Sequence, residues 1–210
     1  MKYPVAIVLA GPNGAGKSTL APRLLRDAFG IREFVNADQI AVGLSAYSPE
    51  TAALEAGRVM LERLHSLAAR RVSFAFESTL ASRSPARFLA GLRKQGYRVE
   101  INYVMLDSPE LAVARVAARV RAGGHSIAED VIRRRFGRSA ANLLDLYLPL
   151  ADRGRIINNS SGKLDRVATL ASHQMSRRLI ILDHSSWTHL NALASKSSSE
   201  SIVPPSSKSA

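Results

Sequence analysis

An apolar run, Val5-Ala6-Ile7-Val8-Leu9-Ala10, breaks directly into Gly11-Pro12-Asn13-Gly14-Ala15-Gly16-Lys17-Ser18-Thr19. The Walker A string G-x-x-x-x-G-K-[ST] requires a strand that ends at the loop and a helix that begins on it. Its glycines let successive backbone N–H groups wrap a phosphate, and the helix N-terminus adds the positive end of its dipole. Residues 11–19 are therefore expected to hold a nucleoside triphosphate, ATP with Mg²⁺. Lys17 would reach the β- and γ-phosphates, and the Ser18 hydroxyl would ligate the ion.

The rest of the chain repeats the strand-then-helix pattern. Short, mostly non-alternating apolar runs at 5–10, 33–36, 72–76, 98–106 and 155–158 read as strands buried on both faces, and 179–182 adds a possible sixth. A helix is expected over 17–28. Ser48-Pro49, Ser84-Pro85 and Ser108-Pro109 each set a capping hydroxyl before a proline. Ser126 with Glu129 has the spacing of a capping box, opening a helix that runs towards Tyr147. Strands alternating with helices predict an α/β fold of the P-loop NTPase kind: a mainly parallel sheet of five or six strands, flanked by helices. Residues 1–195 are expected to form one domain, with a disordered Ser-rich tail over 196–210.

Composition narrows the setting. Cysteine is absent, so neither disulfides nor thiolate metal sites contribute. No apolar run approaches the ~20 residues that cross a bilayer, and the apolar opening leads into the loop rather than a cleavage site. A soluble, cytoplasmic protein without membrane contact is expected. The 29 Lys and Arg against 17 Asp and Glu leave a formal charge of +12, which attracts anions. Aromatic residues are only 6%, a poor stacking platform, so a small molecule is expected as partner rather than nucleic acid.

The loop alone does not say where the γ-phosphate goes. The chain lacks the Asn-Lys-x-Asp and Leu-Ser-Gly-Gly-Gln signatures of GTPases and ABC ATPases, and it is short for an AAA+ motor. A small kinase remains, moving a phosphoryl group to a bound hydroxyl. Such an enzyme needs a carboxylate to take the acceptor's proton, and open α/β sheets bind ligands beyond the carboxyl ends of their strands. Asp38 follows the second strand, with a helix cap for 39–43 as its competing role. Glu77, with Ser78 and Thr79, follows the third; it could be the base, a magnesium partner through water, or an anchor for the acceptor. Asp107 reads as helix capping.

Arginine is dense from Arg115 to Arg138. Glu129 and Asp130 stand four residues before Arg133 and Arg134, as surface ion pairs do. Arg135 and Arg119 lack such partners, and Arg115 and Arg119 place like charges on one helix face. Gly123-Gly124-His125 lies between the two helices as a hinge. A helical lid is expected, closing Arg119 and Arg135 over the transferring charge, with His125 structural or hydrogen-bonding.

These motifs together resemble the zeta-toxin family of P-loop kinases. The likeness runs through residues 11–20, Val35-Asn36-Ala37-Asp38, Phe76-Glu77-Ser78-Thr79-Leu80, the Arg115–His125 stretch, Arg134-Arg135-Phe136 and Asn158-Asn159-Ser160. It implies Lys17 and Ser18 on ATP-Mg²⁺, Asp38 as acceptor-side base, Glu77 and Thr79 near the acceptor, and lid arginines at Arg119 and Arg135. Asn158 departs from the aspartate usual in short members. The resemblance further implies phosphorylation of a nucleotide sugar such as UDP-N-acetylglucosamine, and a cognate antitoxin protein. The alternatives are a kinase for another metabolite, an antibiotic or a polynucleotide end, and a non-catalytic ATP-dependent switch.

Overall fold

The computed structural model describes residues 3–28, 30–48, 51–173 and 176–200. Seven strands form one sheet: β1 Val5–Ala10, β2 Glu33–Val35, β3 Phe74–Ser78, β4 Arg98–Met105, β5 Arg153–Asn158, β6 Asp165–His173 and β7 Ser176–Ile181, in the order β2-β3-β1-β4-β5-β6-β7. The first five are parallel; β6 and β7 add an antiparallel hairpin at one edge. The expected α/β sheet is thus present. Its hairpin is larger than the single strand expected at 179–182. Arg166, Thr169, Ser172 and His173 break up the apolar character of β6, and β7 is exposed along nearly all its length. Neither strand carries the continuous apolar run that marks a central strand.

The parallel strands are covered on both faces, and β1 shows how. Ala6, Val8 and Ala10 join one core with Leu64 and Leu67 of α3 (Ala53–Ala69), Leu89 and Leu92 of α4 (Ser84–Lys94), and Tyr103. Ile7 and Leu9 face the other core, with Ala112 and Val116 of α5 (Pro109–Arg121) and Phe136 of α6 (Glu129–Asn142). Alternate residues of one strand therefore anchor two helical layers. Helix α7, His184–Glu200, packs Leu190 and Ala194 into the first core and reaches five residues into the expected tail; residues 201–210 lie outside the described residues.

Several helix starts differ from expectation. The helix after the loop is α over Lys17–Ala21 (α1) and then π over Pro22–Ala28. Pro22 has no N–H for the Ser18 carbonyl four residues back, so the α-helical ladder loses a rung there. Ser108 caps α5 as expected, its hydroxyl accepting from Leu111 N at 3.2 Å. Ser84 instead lies inside α4, behind Arg83 at the N-cap, and the Ser82 hydroxyl accepts from its N–H. The Ser126–Glu129 capping box does not form, because α6 begins three residues after Ser126, with Ala128 at its N-cap. Glu129 turns to Arg133. Pro49 of the Ser48-Pro49 pair lies outside the described residues.

Candidate active site

Gly11 leaves the end of β1 with φ +140°, and a Cβ there would stand 2.2 Å from the Val104 carbonyl oxygen. Only glycine lets the chain pass so close to β4. The loop then turns into α1 at Gly16, a left-handed N-cap with φ +87° and no side-chain cap. The first N–H groups of α1 consequently have no side-chain acceptor at the cap, and Gly16, Lys17, Ser18 and Thr19 line the cavity, as suits an anion site.

Glu77, at the end of β3, organises this loop. Its Oε2 accepts from Ser18 Oγ and from Asn36 Nδ2, each at 2.9 Å, while Oε1 lies 3.6 Å from Lys17 Nζ. Lys17 also donates to the Pro12 carbonyl at 2.9 Å. Burial holds the Lys17 ammonium below the usual lysine range; Glu77 and Asp38 oppose that shift and Arg119 adds to it. Of the roles open to Glu77 in sequence, the geometry favours the one on the nucleotide side. Ser18 Oγ with a carboxylate directly behind it is an all-oxygen set of the type Mg²⁺ takes, with phosphates and water completing the shell.

Asn36 decides the competing reading of Asp38. The second helix, α2, runs Ala37–Leu44, two residues earlier than a cap at Asp38 would allow. Asn36 is its N-cap, with Oδ1 accepting from Asp38 N at 2.8 Å and Gln39 N at 3.4 Å. The Asp38 carboxylate is left for the cavity, 46% exposed. An asparagine at the end of an apolar run, two residues before an acidic one, is itself an N-cap signal.

The cavity between these groups and α3, α5 and α6 has a volume of about 1020 Å³. Lys17, Arg58, Arg115, Arg119, Arg134, Arg135 and Arg138 line it, against the carboxylates Asp38 and Glu77. Thr19 and Thr79 line it as well. The cavity is accordingly a strong anion attractor. Its far wall is apolar, with Leu54, Met60 and Leu61 from α3 and Phe88 from α4.

The arginines sort differently from their sequence spacing. Arg133 pairs with Glu129 at 2.8 Å and also with Glu110 at 2.6 Å, tying α6 to α5. Arg134 forms no pair with Asp130 among the described residues and lines the cavity instead. Arg115 braces the nucleotide loop: it donates to the carbonyls of Asn159 at 2.7 Å and Ser160 at 2.9 Å, and Asn159 Nδ2 donates to the Ala15 carbonyl at 2.9 Å. Nearby, Asn158 Nδ2 donates to Asp107 Oδ1, so Asp107 supports this loop rather than capping α5. Arg119 and Arg135 both line the cavity, and Arg119 donates to the His125 carbonyl at 3.1 Å.

The hairpin of α5 and α6 over the site is firmly seated. Phe136 and Ser139 are buried, Ser139 Oγ lies 3.0 Å from Tyr103 Oη, and Asn142 Nδ2 donates to the Leu80 carbonyl at 2.6 Å. Leu80 itself sits at φ +58° and is fully buried, so the turn after Glu77 is held in a costly conformation beside the cavity.

Known proteins share this fold. The zeta toxin family model matches residues 1–165. An uncharacterized protein of Haemophilus influenzae is 35% identical over 131 residues, 62% of this chain and 91% of its own length. Among solved structures, the AvrRxo1-ORF1:AvrRxo1-ORF2 complex superposes with a TM-score of 0.73 at 15% identity, over 89% of this chain; this chain spans only 63% of the AvrRxo1 chain. Another crystal of that complex contains ATP. The PezAT toxin–antitoxin system of Streptococcus pneumoniae superposes at TM-score 0.58 and 18% identity, covering 95% of this chain and 88% of that one. With its P-loop kinase fold, and with the family model matching most of its length, this chain belongs to the zeta toxin family.

Proposed function

We propose that this protein is an ATP-dependent kinase that phosphorylates a hydroxyl of a nucleotide sugar, with UDP-N-acetylglucosamine as the acceptor the family likeness suggests. The observation that carries the reading is the division of labour between two carboxylates. Glu77 is committed to Ser18, Lys17 and Asn36, whereas Asp38 stands across the same cavity with its helix capped by another residue.

In this reading residues 11–19 bind the triphosphate, and Lys17 and Arg119 gather its β- and γ-oxygens. Ser18 would hold Mg²⁺, with Glu77 fixing the hydroxyl's direction; the bound ion supplies charge neutralisation between the phosphates. Asp38 accepts the acceptor's proton as its oxygen bonds to the γ-phosphorus and the bridging bond to ADP breaks. Arg135 neutralises the transferring group and Thr79 contacts the acceptor. The excess of cavity cations supports an acceptor that carries phosphates of its own, and the α3 wall suits a base or sugar face.

By its likeness to the PezAT system the protein is also read as a toxin neutralised by an antitoxin protein, acting in the cytoplasm; no helix of the described residues is long and apolar enough to cross a membrane. Residues 1–195 would form the kinase domain. The test is to incubate the purified protein with ATP, Mg²⁺ and a panel of nucleotide sugars and look for the mass gain of one phosphate. A phosphorylated UDP-N-acetylglucosamine is expected; no product from any of them, with protein that binds ATP, overturns the sugar assignment. Growth arrest on expression, abolished by Lys17→Ala, tests the toxin role.

A further inference from the structure

His125 stands where the donor and acceptor halves of the cavity meet. Its Nε2 lies 3.5 Å from Asp38 Oδ2 and 3.4 Å from Arg119 Nη2, and its carbonyl accepts from the same Arg119 nitrogen at 3.1 Å. The imidazole is largely enclosed, 20% exposed. Gly124 makes the turn possible: a Cβ there would stand 2.7 Å from Arg119 Cγ and 3.1 Å from the Arg119 carbonyl oxygen. The turn is therefore wrapped onto the stem of Arg119. Arg119 Nε is buried and without a hydrogen-bond partner among the described residues, a donor that an anion would satisfy. One short turn thus engages both the carboxylate and the guanidinium that phosphoryl transfer calls on.

We propose that His125 is a guard on acceptor-free ATP hydrolysis, an inference that rests on reading Asp38 as the base. With no acceptor bound, the imidazole stands against Asp38 Oδ2 and the carbonyl of the same residue holds Arg119 Nη2. A water near the γ-phosphate then meets a base whose Oδ2 is already engaged by the imidazole. An acceptor hydroxyl that hydrogen-bonds to Asp38 Oδ2 takes the place of His125 Nε2, and the displaced turn releases Arg119 towards the phosphoryl group. The same contact that admits the acceptor therefore completes the donor site, and water, which lacks the binding energy of the rest of the acceptor, displaces the imidazole poorly. His125 acts through Asp38 and Arg119 and is a positioning residue. In the guarded-against reaction, water oxygen bonds to the γ-phosphorus, the bond to the ADP oxygen breaks, and the proton goes to Asp38.

Phosphate release from ATP and Mg²⁺, measured on the full chain without any acceptor, tests this. His125→Ala should raise the hydrolysis rate by about tenfold, since a freed general base contributes at least that much, while ATP affinity stays unchanged. His125→Gln, which keeps a donor able to reach Asp38, should hydrolyse ATP close to the wild-type rate. Adding Asp38→Asn to His125→Ala should abolish the gain. His125→Leu, which keeps the volume, repeats the first measurement should the alanine variant not bind ATP. Hydrolysis at or below the wild-type rate in the ATP-binding variants, or a gain that survives Asp38→Asn, overturns the proposal. If Asp38→Asn alone leaves transfer to a sugar acceptor intact, the base reading has failed; if it abolishes transfer while His125→Ala leaves hydrolysis unmoved, only the guard has failed.

Discussion

Asn36 Nδ2 donates to Glu77 Oε2 across 2.9 Å while Oδ1 of the same side chain caps the helix that carries Asp38. One amide therefore sets the distance between the nucleotide-side carboxylate and the acceptor-side one. Asn36→Asp separates its two jobs. Aspartate caps a helix as well as asparagine does, so α2 keeps its start, but the donor facing Glu77 becomes a second carboxylate. Two carboxylates at this distance cannot both stay ionised without cost. Transfer should fall about tenfold or more, with helix content retained by circular dichroism. Asn36→Ala should in addition lose about 1 kcal/mol of capping, visible as a lowered melting temperature.

Asp38→Asn leaves the hydrogen bonds of the nucleotide loop in place, because Glu77 and not Asp38 holds Ser18 and Lys17. Phosphoryl transfer should drop by about 10²–10⁴-fold, while ATP binds with nearly wild-type affinity by calorimetry. Equal losses in transfer and ATP affinity would instead place Asp38 on the donor side.

How far the sequence foretold this arrangement depends on whether a signal was local. The strand, loop and helix at 5–21 are specified by adjacent residues, so their reading stands with little change. The central strands announce themselves as apolar runs because both faces are buried. The hairpin of β6 and β7 does not, since an edge exposed to solvent needs no such run. Among the site residues, spacing along a helix placed Arg133 with Glu129 but could not foresee Glu110, which lies on another helix. Arg115 illustrates the same limit. Its distance from Arg119 suggests like-charge crowding, yet its guanidinium is directed to two carbonyls more than forty residues away. Only the fold brings those acceptors within reach.

Gly11 and Gly43 should respond to alanine in opposite senses. At Gly11 the added Cβ would meet the Val104 backbone at 2.2 Å, in a region of φ that alanine rarely adopts. Gly11→Ala should cost more than about 4 kcal/mol, the range of severe backbone conflict, and yield insoluble or strongly destabilised protein. Gly43 lies inside α2, where an added Cβ would meet nothing within 4 Å. Gly43→Ala should stabilise by roughly 0.5–1 kcal/mol, raising the melting temperature by about 1–4 °C. A destabilised Gly43→Ala would contradict the open space on that helix face.

Lys17 makes nucleotide binding depend on pH. Burial is the largest influence on it and lowers its affinity for a proton below the ordinary value of 10.5. Between the lowered value and 10.5 the unfolded chain binds more protons than the folded one, so the nucleotide-free protein gains stability as pH rises through that window. A triphosphate beside the ammonium reverses the balance, because an opposite charge at close range favours the protonated form. ATP binding at alkaline pH should therefore take up protons, and ATP affinity should fall as pH climbs. Calorimetry of ATP binding in two buffers of different ionisation enthalpy measures the uptake directly. Lys17→Ala, which has no proton to gain there, should show weaker binding and lose the pH-dependent part of the uptake. Uptake of the same size in wild type and variant would mean that another group, not Lys17, titrates against the phosphates.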